Sequence, residues 1–121
     1  MIKTLKGVLK GLTFAAEGYI GAFREDTHFR INLILSLSGT LLSLFLLEGC
    51  LKVVVALVNW LVLAFELLNT AVERAVDTAT MEFKPSAKLA KDASAAAVLT
   101  VGLFALMCDI IFLLPQILRR L

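Results

Sequence analysis

Three long apolar stretches dominate the pattern of hydrophobic and polar positions, and each is long enough to form a transmembrane helix. Residues 31–47 contain no charged residue, residues 53–72 contain only Glu66, and residues 93–118 contain only Asp109. A helix needs roughly 20 residues to cross a hydrocarbon core of about 30 Å, with some latitude at either end. The predicted transmembrane helices are residues 31–49, 52–76 and 93–118.

The segment before the first span predicts an amphipathic helix that lies on the membrane surface. A signal peptide would need a continuous apolar core, and Lys3, Lys6, Lys10 and Glu17 interrupt this one. The apolar side chains share one face of the helix, and they are Ile2, Leu5, Leu9, Leu12 and Ala16. Lysines line another face, which is typical of helices that bind an anionic membrane surface. Residues 1–29 are therefore interpreted as a surface helix and the cytoplasmic approach to the first span.

Composition supports a single all-α integral-membrane domain over residues 1–121. The chain is 60% hydrophobic and has a mean hydropathy of +0.90, well above an ordinary soluble domain. A soluble three-helix bundle is the alternative, and it would need a polar face on every helix. The first span offers few polar residues for such a face, among them Asn32, Ser36, Ser38 and Thr40.

The distribution of Lys and Arg predicts the orientation. Of the twelve basic residues, nine precede the first span or lie in or beside the loop at residues 77–92, which leaves Lys52, Arg119 and Arg120 for the opposite side. The positive-inside rule then places the N-terminus and this loop in the cytoplasm.

Carboxylates inside the second span are the main candidate chemistry. At about 100° per residue, Glu73 and Asp77 each fall within roughly 20° of the direction of Glu66 on a helix, and Asn69 and Thr70 flank the same stripe. An ionisable side chain within a membrane span costs several kcal/mol, so its default interpretation is functional. The stripe predicts a site that handles protons and a cation at the membrane boundary.

The cytoplasmic loop adds lysines next to these acids. Pro85 and Ser86 predict a helix start, with Ser86 as the N-cap. Lys88 and Lys91 share a face of that helix, and the spacing predicts that it points back toward the Glu73 end of the second span. Such lysines contact phosphate oxygens while a carboxylate coordinates Mg²⁺. A basic loop that only obeys the positive-inside rule explains the spacing equally well.

The sequence ELLNTAVERAVD at residues 66–77, with AKD at 90–92 and AAAVL at 95–99, resembles the signature of the prokaryotic diacylglycerol kinase family. These are small integral-membrane lipid kinases of bacteria, and they include the undecaprenol kinases of Gram-positive bacteria. The resemblance covers nearly the whole chain. It implies a homotrimeric helical bundle in the cell membrane, with composite sites at subunit interfaces, and transfer of the ATP γ-phosphate to a lipid hydroxyl.

The resemblance also implies roles for individual residues. Glu66 matches the catalytic base, Glu73 matches a carboxylate that binds Mg²⁺, and Asn69 matches a polar group of the same site. The matches to positions that bind ATP are Lys10, Glu82, Lys84, Lys91 and Asp92.

The second metal carboxylate precedes a Phe-Arg pair in the family. Here Phe29-Arg30 aligns it with Asp26, where the family usually has Glu, and the adjacent Glu25 is the alternative ligand. Some relatives have Ser where this chain has Ala95, and Ser94 is the neighbouring hydroxyl that could replace it.

The resemblance implies diacylglycerol as the acceptor, converted to phosphatidic acid, with undecaprenol as the alternative. The partners implied are ATP, Mg²⁺, the lipid substrate, membrane lipids and two further copies of the chain, and no nucleic acid. From the residues alone, the acidic stripe also fits a proton relay in a small proton-coupled transporter subunit. A purely structural membrane subunit is a third hypothesis, and it would tolerate neutralisation of Glu66 and Glu73.

Overall fold

A computed structural model describes residues 2–121, and all of the regular structure in this part of the chain is helical. The helices are α1 (Ile2–Glu25), α2 (Thr27–Leu46), α3 (Gly49–Ala79) and α4 (Pro85–Cys108), after which a π-helical turn (Asp109–Leu113) leads into α5 (Leu114–Leu118). Three helical stretches are long and apolar enough to cross a membrane, namely Thr27–Leu46, Gly49–Ala79 and Pro85–Leu118. The prediction of an all-α membrane fold is confirmed.

The helix ends follow from particular residues. Asp26 caps α2, because its Oδ1 accepts hydrogen bonds from the backbone N–H groups of His28 at 2.8 Å and Phe29 at 3.2 Å. Gly49 starts α3 with a φ of +59°, in the left-handed region that favours glycine, so α2 and α3 join through a very short connection.

The helix start near the loop differs from the prediction. Lys84 occupies the N-cap position of α4 without a side-chain cap, and Pro85 is the first helical residue, so the prediction of Ser86 as the cap is wrong. Proline is favoured at this position because its φ is already helical and its missing N–H would have no partner there. Since α3 continues to Ala79, only residues 80–84 between the two helices are non-helical.

The helices pack in sequence order, with α3 between α2 and α4. One group of buried side chains joins the middle of α3 to α4, and it comprises Val58, Val62, Ala105 and Cys108. On the other side, α2 approaches so closely at Gly39 that an added Cβ would lie 2.7 Å from Asn59 Oδ1. Glycine at this position therefore sets the distance between α2 and α3.

The outward faces of the spanning helices are strongly apolar. Large side chains such as Phe45, Ile34 and Leu103 are mostly exposed, and Phe45 is 78% exposed. A soluble protein rarely leaves apolar surface of this extent open to water. The structure thus lacks the polar outer faces that the soluble-bundle alternative requires.

A buried polar contact lies within the membrane-spanning part. Asn59 is 3% exposed, and its Nδ2 donates to Asp109 Oδ1 at 3.0 Å and to the Val55 carbonyl at 3.1 Å. Asp109 begins the π-helical turn. The bond ties α3 to the end of α4, and it gives the charge at position 109 a partner that the sequence pattern did not identify.

Helix α1 joins the bundle through its C-terminal end. Ala22 is buried with Phe29 and Leu63, and the rings of Tyr19 and Phe29 meet edge to face, with centroids 6.1 Å apart. Further toward the N-terminus, Leu9 and Leu12 are exposed, as expected for a face that contacts lipid. The described structure does not include Met1 or the side chains of Ile2, Lys3 and Leu5, so their predicted places on the two helix faces lie outside it.

Candidate active site

A cavity of about 730 Å³ lies between the start of α2 and the C-terminal half of α3. Five carboxylates line it, and they are Glu25, Asp26, Glu66, Glu73 and Asp77. Three of them come from the predicted stripe on α3, whose burial decreases along the helix: Glu66 is 3% exposed, Glu73 is half-buried and Asp77 is exposed. The helical rise places Glu66 about 10 Å deeper than Glu73, so the cavity reaches from the surface into the bundle.

Glu66 is held from the neighbouring helix. Asn32 Nδ2 on α2 donates to Glu66 Oε2 at 3.2 Å, and both residues line the cavity. In the sequence, Asn32 is one of few polar residues in the first span. A lone amide in an otherwise apolar helix was the available signal, because such a group needs a polar partner inside the bundle.

Asp26 is fixed against α3, and this bears on whether Asp26 or Glu25 is the second candidate metal ligand. Its Oδ2 accepts from Thr70 Oγ1 at 3.0 Å, while its Oδ1 caps α2. The side chain of Glu25 instead forms an ion pair with Arg74. Both acids line the cavity, but only Asp26 is held on the stripe beside the buried Glu66.

Asn69 links α4 to the metal-binding candidate Glu73. Asn69 Nδ2 donates to Glu73 Oε1 at 3.2 Å, and Ser94 Oγ donates to Asn69 Oδ1 at 2.7 Å. The Lys91 carbonyl oxygen lies 2.9 Å from the same hydroxyl and is the alternative acceptor for its single proton. The structure therefore gives Ser94 a place in the site, where the sequence had only offered it as a neighbour of Ala95.

A second cavity, of about 420 Å³, lies beside the first at the junction of α3, the short loop and α4. It brings together four predicted nucleotide contacts, which are Glu82, Lys84, Lys91 and Asp92. Asp77 lines both cavities. The chain therefore places its lysine cluster directly beside its carboxylates.

The two lysines of α4 have different partners. Lys91 Nζ donates to Asp77 Oδ1 at 2.9 Å and Oδ2 at 3.1 Å. This hydrogen bond raises the pKa of Lys91, which lies before the predicted span. Lys88 instead pairs with Asp92 four residues later on its own helix. Both lysines line the cavity that α4 forms with the end of α3, but only Lys91 bonds to a residue of α3.

Lys10 is separate from these groups within the chain. Its Nζ lies 5.6 Å from the centroid of the Phe14 ring on α1, and it lines neither of the two cavities.

The carboxylate oxygens of the acidic cavity suit a hard cation that also binds phosphate oxygens and water. Among the described residues there is no group of three or more His, Cys, Asp or Glu side chains that could enclose a metal ion. The acidic cavity instead offers the carboxylates of Asp26 and Glu73. Mg²⁺ typically binds to one or two protein carboxylates together with phosphate oxygens and water, so these residues fit that ion.

Fold and site together define a helical membrane protein whose acidic cavity adjoins a lysine-rich one. The family description "Prokaryotic diacylglycerol kinase" matches residues 13–113. The chain belongs to this family, and the resemblance drawn from residues 66–99 is confirmed.

Curated relatives agree with the family match. A diacylglycerol kinase of Synechocystis is 37% identical over 113 residues, which cover 92% of this chain and 65% of that protein. A diacylglycerol kinase of Pseudomonas aeruginosa is 36% identical over 97 residues, 77% of this chain and 76% of that protein. An undecaprenol kinase of Bacillus subtilis is 27% identical over 121 residues, which cover 93% of each chain. The match therefore spans just under two thirds of the Synechocystis protein and most of the other two.

Proposed function

We propose that this protein is an ATP-dependent lipid kinase that phosphorylates diacylglycerol to phosphatidic acid. The observation that carries the proposal is the acidic cavity around Glu66, which adjoins the lysine-rich cavity through Asp77. In the reaction, the lipid hydroxyl oxygen forms a bond to the γ-phosphorus and the bond from that phosphorus to ADP breaks. The hydroxyl proton passes to Glu66, and ADP leaves.

Glu66 is suited to the role of general base. It is the deepest carboxylate of the stripe, where a hydroxyl anchored in lipid can reach it. The hydrogen bond from Asn32 at 3.2 Å orients one carboxylate oxygen and leaves the other for the substrate. A base must lie within hydrogen-bond distance of the proton that it removes, and a fixed side chain meets this requirement best.

Asp26 and Glu73 are the proposed ligands of Mg²⁺. When bound, the ion would neutralise charge on the β- and γ-phosphates. The hydrogen bonds that hold the two acids, from Thr70 to Asp26 and from Asn69 to Glu73, keep them on the same cavity wall. We prefer Asp26 to Glu25 because a hydrogen bond from Thr70 holds the Asp26 carboxylate against α3, whereas the side chain of Glu25 is 64% exposed.

The lysine-rich cavity is the proposed nucleotide site. Its members Glu82, Lys84, Lys91 and Asp92 are the positions that match ATP-binding residues of the family. Lys10 lies away from them in the chain, so it would contact ATP from a neighbouring copy. This arrangement accords with a homotrimer whose sites are shared between subunits.

We place the protein in the bacterial cell membrane as a multi-pass protein with a cytoplasmic N-terminus. The bias of basic residues toward α1 and the α3–α4 loop supports this orientation. ATP would then reach both cavities from the cytoplasm, and the lipid acceptor would meet it at the membrane boundary.

Undecaprenol is the second candidate acceptor. Two curated relatives named diacylglycerol kinase are 36–37% identical to this chain, whereas the undecaprenol kinase of Bacillus subtilis is 27% identical but matches over nearly its full length. The higher sequence identity to the diacylglycerol kinases favours diacylglycerol as the acceptor, and the longer match to the undecaprenol kinase favours undecaprenol.

The decisive experiment measures ATP consumption by the purified protein in mixed micelles that contain diacylglycerol or undecaprenol. We expect consumption that depends on diacylglycerol and on Mg²⁺, with formation of phosphatidic acid. Consumption only with undecaprenol would change the acceptor. If neither lipid stimulates ATP consumption, the kinase proposal is wrong and a transporter or structural subunit takes its place.

A further inference from the structure

Arg74 occupies an unusual position in the acidic cavity. Five carboxylates line this cavity, and Arg74 is the only one of the described Lys and Arg side chains that lines it with them. It directly follows Glu73, one of the proposed metal ligands. Arg and Lys side chains, like metal ions, stabilise the negative charge of a transferring phosphoryl group.

Arg74 also lies where the acidic cavity meets an apolar one. A cleft of about 430 Å³ between α1 and α3 is lined mainly by small and apolar side chains, such as Gly18, Ala22 and Leu67. Arg74 and Thr70 line both this cleft and the acidic cavity. A molecule with an apolar body and a phosphate at one end could place the phosphate beside Arg74.

The present partner of Arg74 can be exchanged. Arg74 and Glu25 form an ion pair, and their side chains are 56% and 64% exposed. An ion pair this exposed contributes little to stability because water and salt screen it. The planar guanidinium can bind two phosphate oxygens at once, and a phosphate monoester carries more negative charge than a single carboxylate.

We propose that Arg74 binds the phosphoryl oxygens during and after transfer to the lipid, and that it releases Glu25 to do so. The inference rests on the proposed kinase function. Arg74 would stabilise charge on the transferred group and would then hold the phosphate monoester of the product. It takes no proton and forms no covalent bond.

A structural latch between α1 and α3 is the competing role for the same ion pair. The two roles differ in what the loss of each partner does. If the ion pair is a latch, neutralising either partner breaks it, and both variants lose the same activity. If Arg74 binds phosphate, the reaction needs Arg74 but does not need its partner Glu25. Comparison of Arg74→Gln, Glu25→Gln and the double variant separates the two.

The kinetic experiment uses the full-length protein with its lipid acceptor and Mg²⁺–ATP. We expect Arg74→Gln to lower kcat by about a hundredfold, the effect of losing one donor to a developing anion, with little change in the KM for ATP. Glu25→Gln should not reproduce the loss seen in Arg74→Gln, and the double variant should resemble Arg74→Gln. Arg74→Lys should recover part of the loss, and Arg24→Gln, which removes an exposed charge near the end of α1, serves as the matched control.

A binding experiment without ATP tests the same residue independently of turnover. Short-chain phosphatidic acid is titrated into the protein in neutral detergent, with short-chain diacylglycerol as the uncharged comparison. We expect Arg74→Gln to weaken binding of the phosphate by about tenfold, as for one lost charged hydrogen bond, without weakening binding of diacylglycerol. If Arg74→Gln does not fold, the same two titrations are made with Arg74→Lys, which keeps the charge but not the planar guanidinium.

The outcomes separate the inference from the function on which it rests. If the wild-type protein phosphorylates no lipid, the proposed function fails. If it is active but Glu25→Gln and Arg74→Gln lose equal activity, the pair is a latch and the inference is wrong. Normal turnover and normal phosphatidic acid binding by Arg74→Gln would also overturn it.

Discussion

The Ser94 hydroxyl on α4 donates a hydrogen bond to Asn69 Oδ1 on α3, with 2.7 Å between the two oxygens. The same amide donates through Nδ2 to Glu73 Oε1 at 3.2 Å. A short chain of hydrogen bonds thus runs from the helix that carries the proposed nucleotide contacts to a proposed metal ligand. Because the contact depends on how α3 and α4 face one another, it reports directly on the geometry of the site.

We expect Ser94→Ala to weaken the apparent affinity for Mg²⁺ severalfold, equivalent to about 1 kcal/mol for one lost hydrogen bond. The reason is that Asn69 loses the donor that fixes its orientation toward Glu73. Titration of Mg²⁺ at fixed ATP measures the effect. Thr100→Ala is the matched control, because Thr100 is an exposed hydroxyl on the same helix that bonds only to its own helix, at Ala96. An unchanged Mg²⁺ dependence in Ser94→Ala would show that Asn69 does not need this contact.

Glu66→Gln should abolish lipid phosphorylation while the protein still folds and binds ATP. The amide keeps the shape and can still accept the hydrogen bond from Asn32, but it cannot accept the substrate proton. General bases contribute about 10²–10⁴-fold to rate, so turnover should fall by at least that factor. The control is Glu48→Gln, which neutralises an exposed acid at the opposite end of α3. Near-normal turnover by Glu66→Gln would remove Glu66 from the role of base.

Sequence reasoning reached the helical architecture because long apolar stretches and isolated acids are properties of local composition. The stripe of Glu66, Glu73 and Asp77 follows from helical periodicity alone, and the structure confirms that all three acids line one cavity. Contacts between helices were harder to predict. The partners of Glu66 and Asp109, which are Asn32 and Asn59, depend on the rotation of each helix about its axis, and no local pattern fixes that rotation.

Short-range competition explains the remaining differences. Lys88 lines the cavity at the end of α3, as the spacing predicts, but it forms its ion pair with Asp92 on the next turn of its own helix. At the start of α4, Pro85 takes the first helical position and so moves the cap to Lys84. In both cases two local rules applied to the same residues, and the sequence did not indicate which would prevail.

Asp26→Asn should separate the proposed metal role of this residue from its capping role. Asparagine caps a helix through its Oδ1 as well as aspartate does, and its Nδ2, in the place of Oδ2, can donate to the Thr70 hydroxyl, so α2 should keep its stability. The loss of charge should weaken binding of Mg²⁺–ATP, and Glu73→Gln should do so more strongly. Nucleotide binding at limiting Mg²⁺, together with thermal unfolding in detergent, measures both effects. If affinity survives both substitutions, these carboxylates are structural.

The Asn59–Asp109 bond should matter more when one partner is removed than when both are. Asn59→Leu leaves the Asp109 carboxylate without its donor inside the membrane-spanning region and should destabilise the protein by about 1–3 kcal/mol. Asn59→Leu combined with Asp109→Leu removes both polar groups, and it should recover part of that loss. Thermal unfolding in detergent of both single variants and the double variant gives the coupling. Strictly additive losses would mean that the two side chains do not depend on one another.

The final prediction concerns assembly. A base-deficient chain (Glu66→Gln) is mixed with a chain that lacks nucleotide contacts (Lys91→Ala with Asp92→Ala), and the two are assembled into common trimers. If the base and the nucleotide contacts of one site belong to different subunits, some interfaces will pair two intact halves, and activity should return.

We expect this recovery because the spanning helices and short loop leave one chain little room to enclose both ATP and a lipid. Lys10 also lies away from the other proposed nucleotide contacts within its own chain. The two variants should each be inactive alone, and two differently tagged copies should co-purify to show that mixed trimers form. If mixed trimers form but remain inactive, each site is complete within one chain. The adjoining cavities that share Asp77 would then be the whole site.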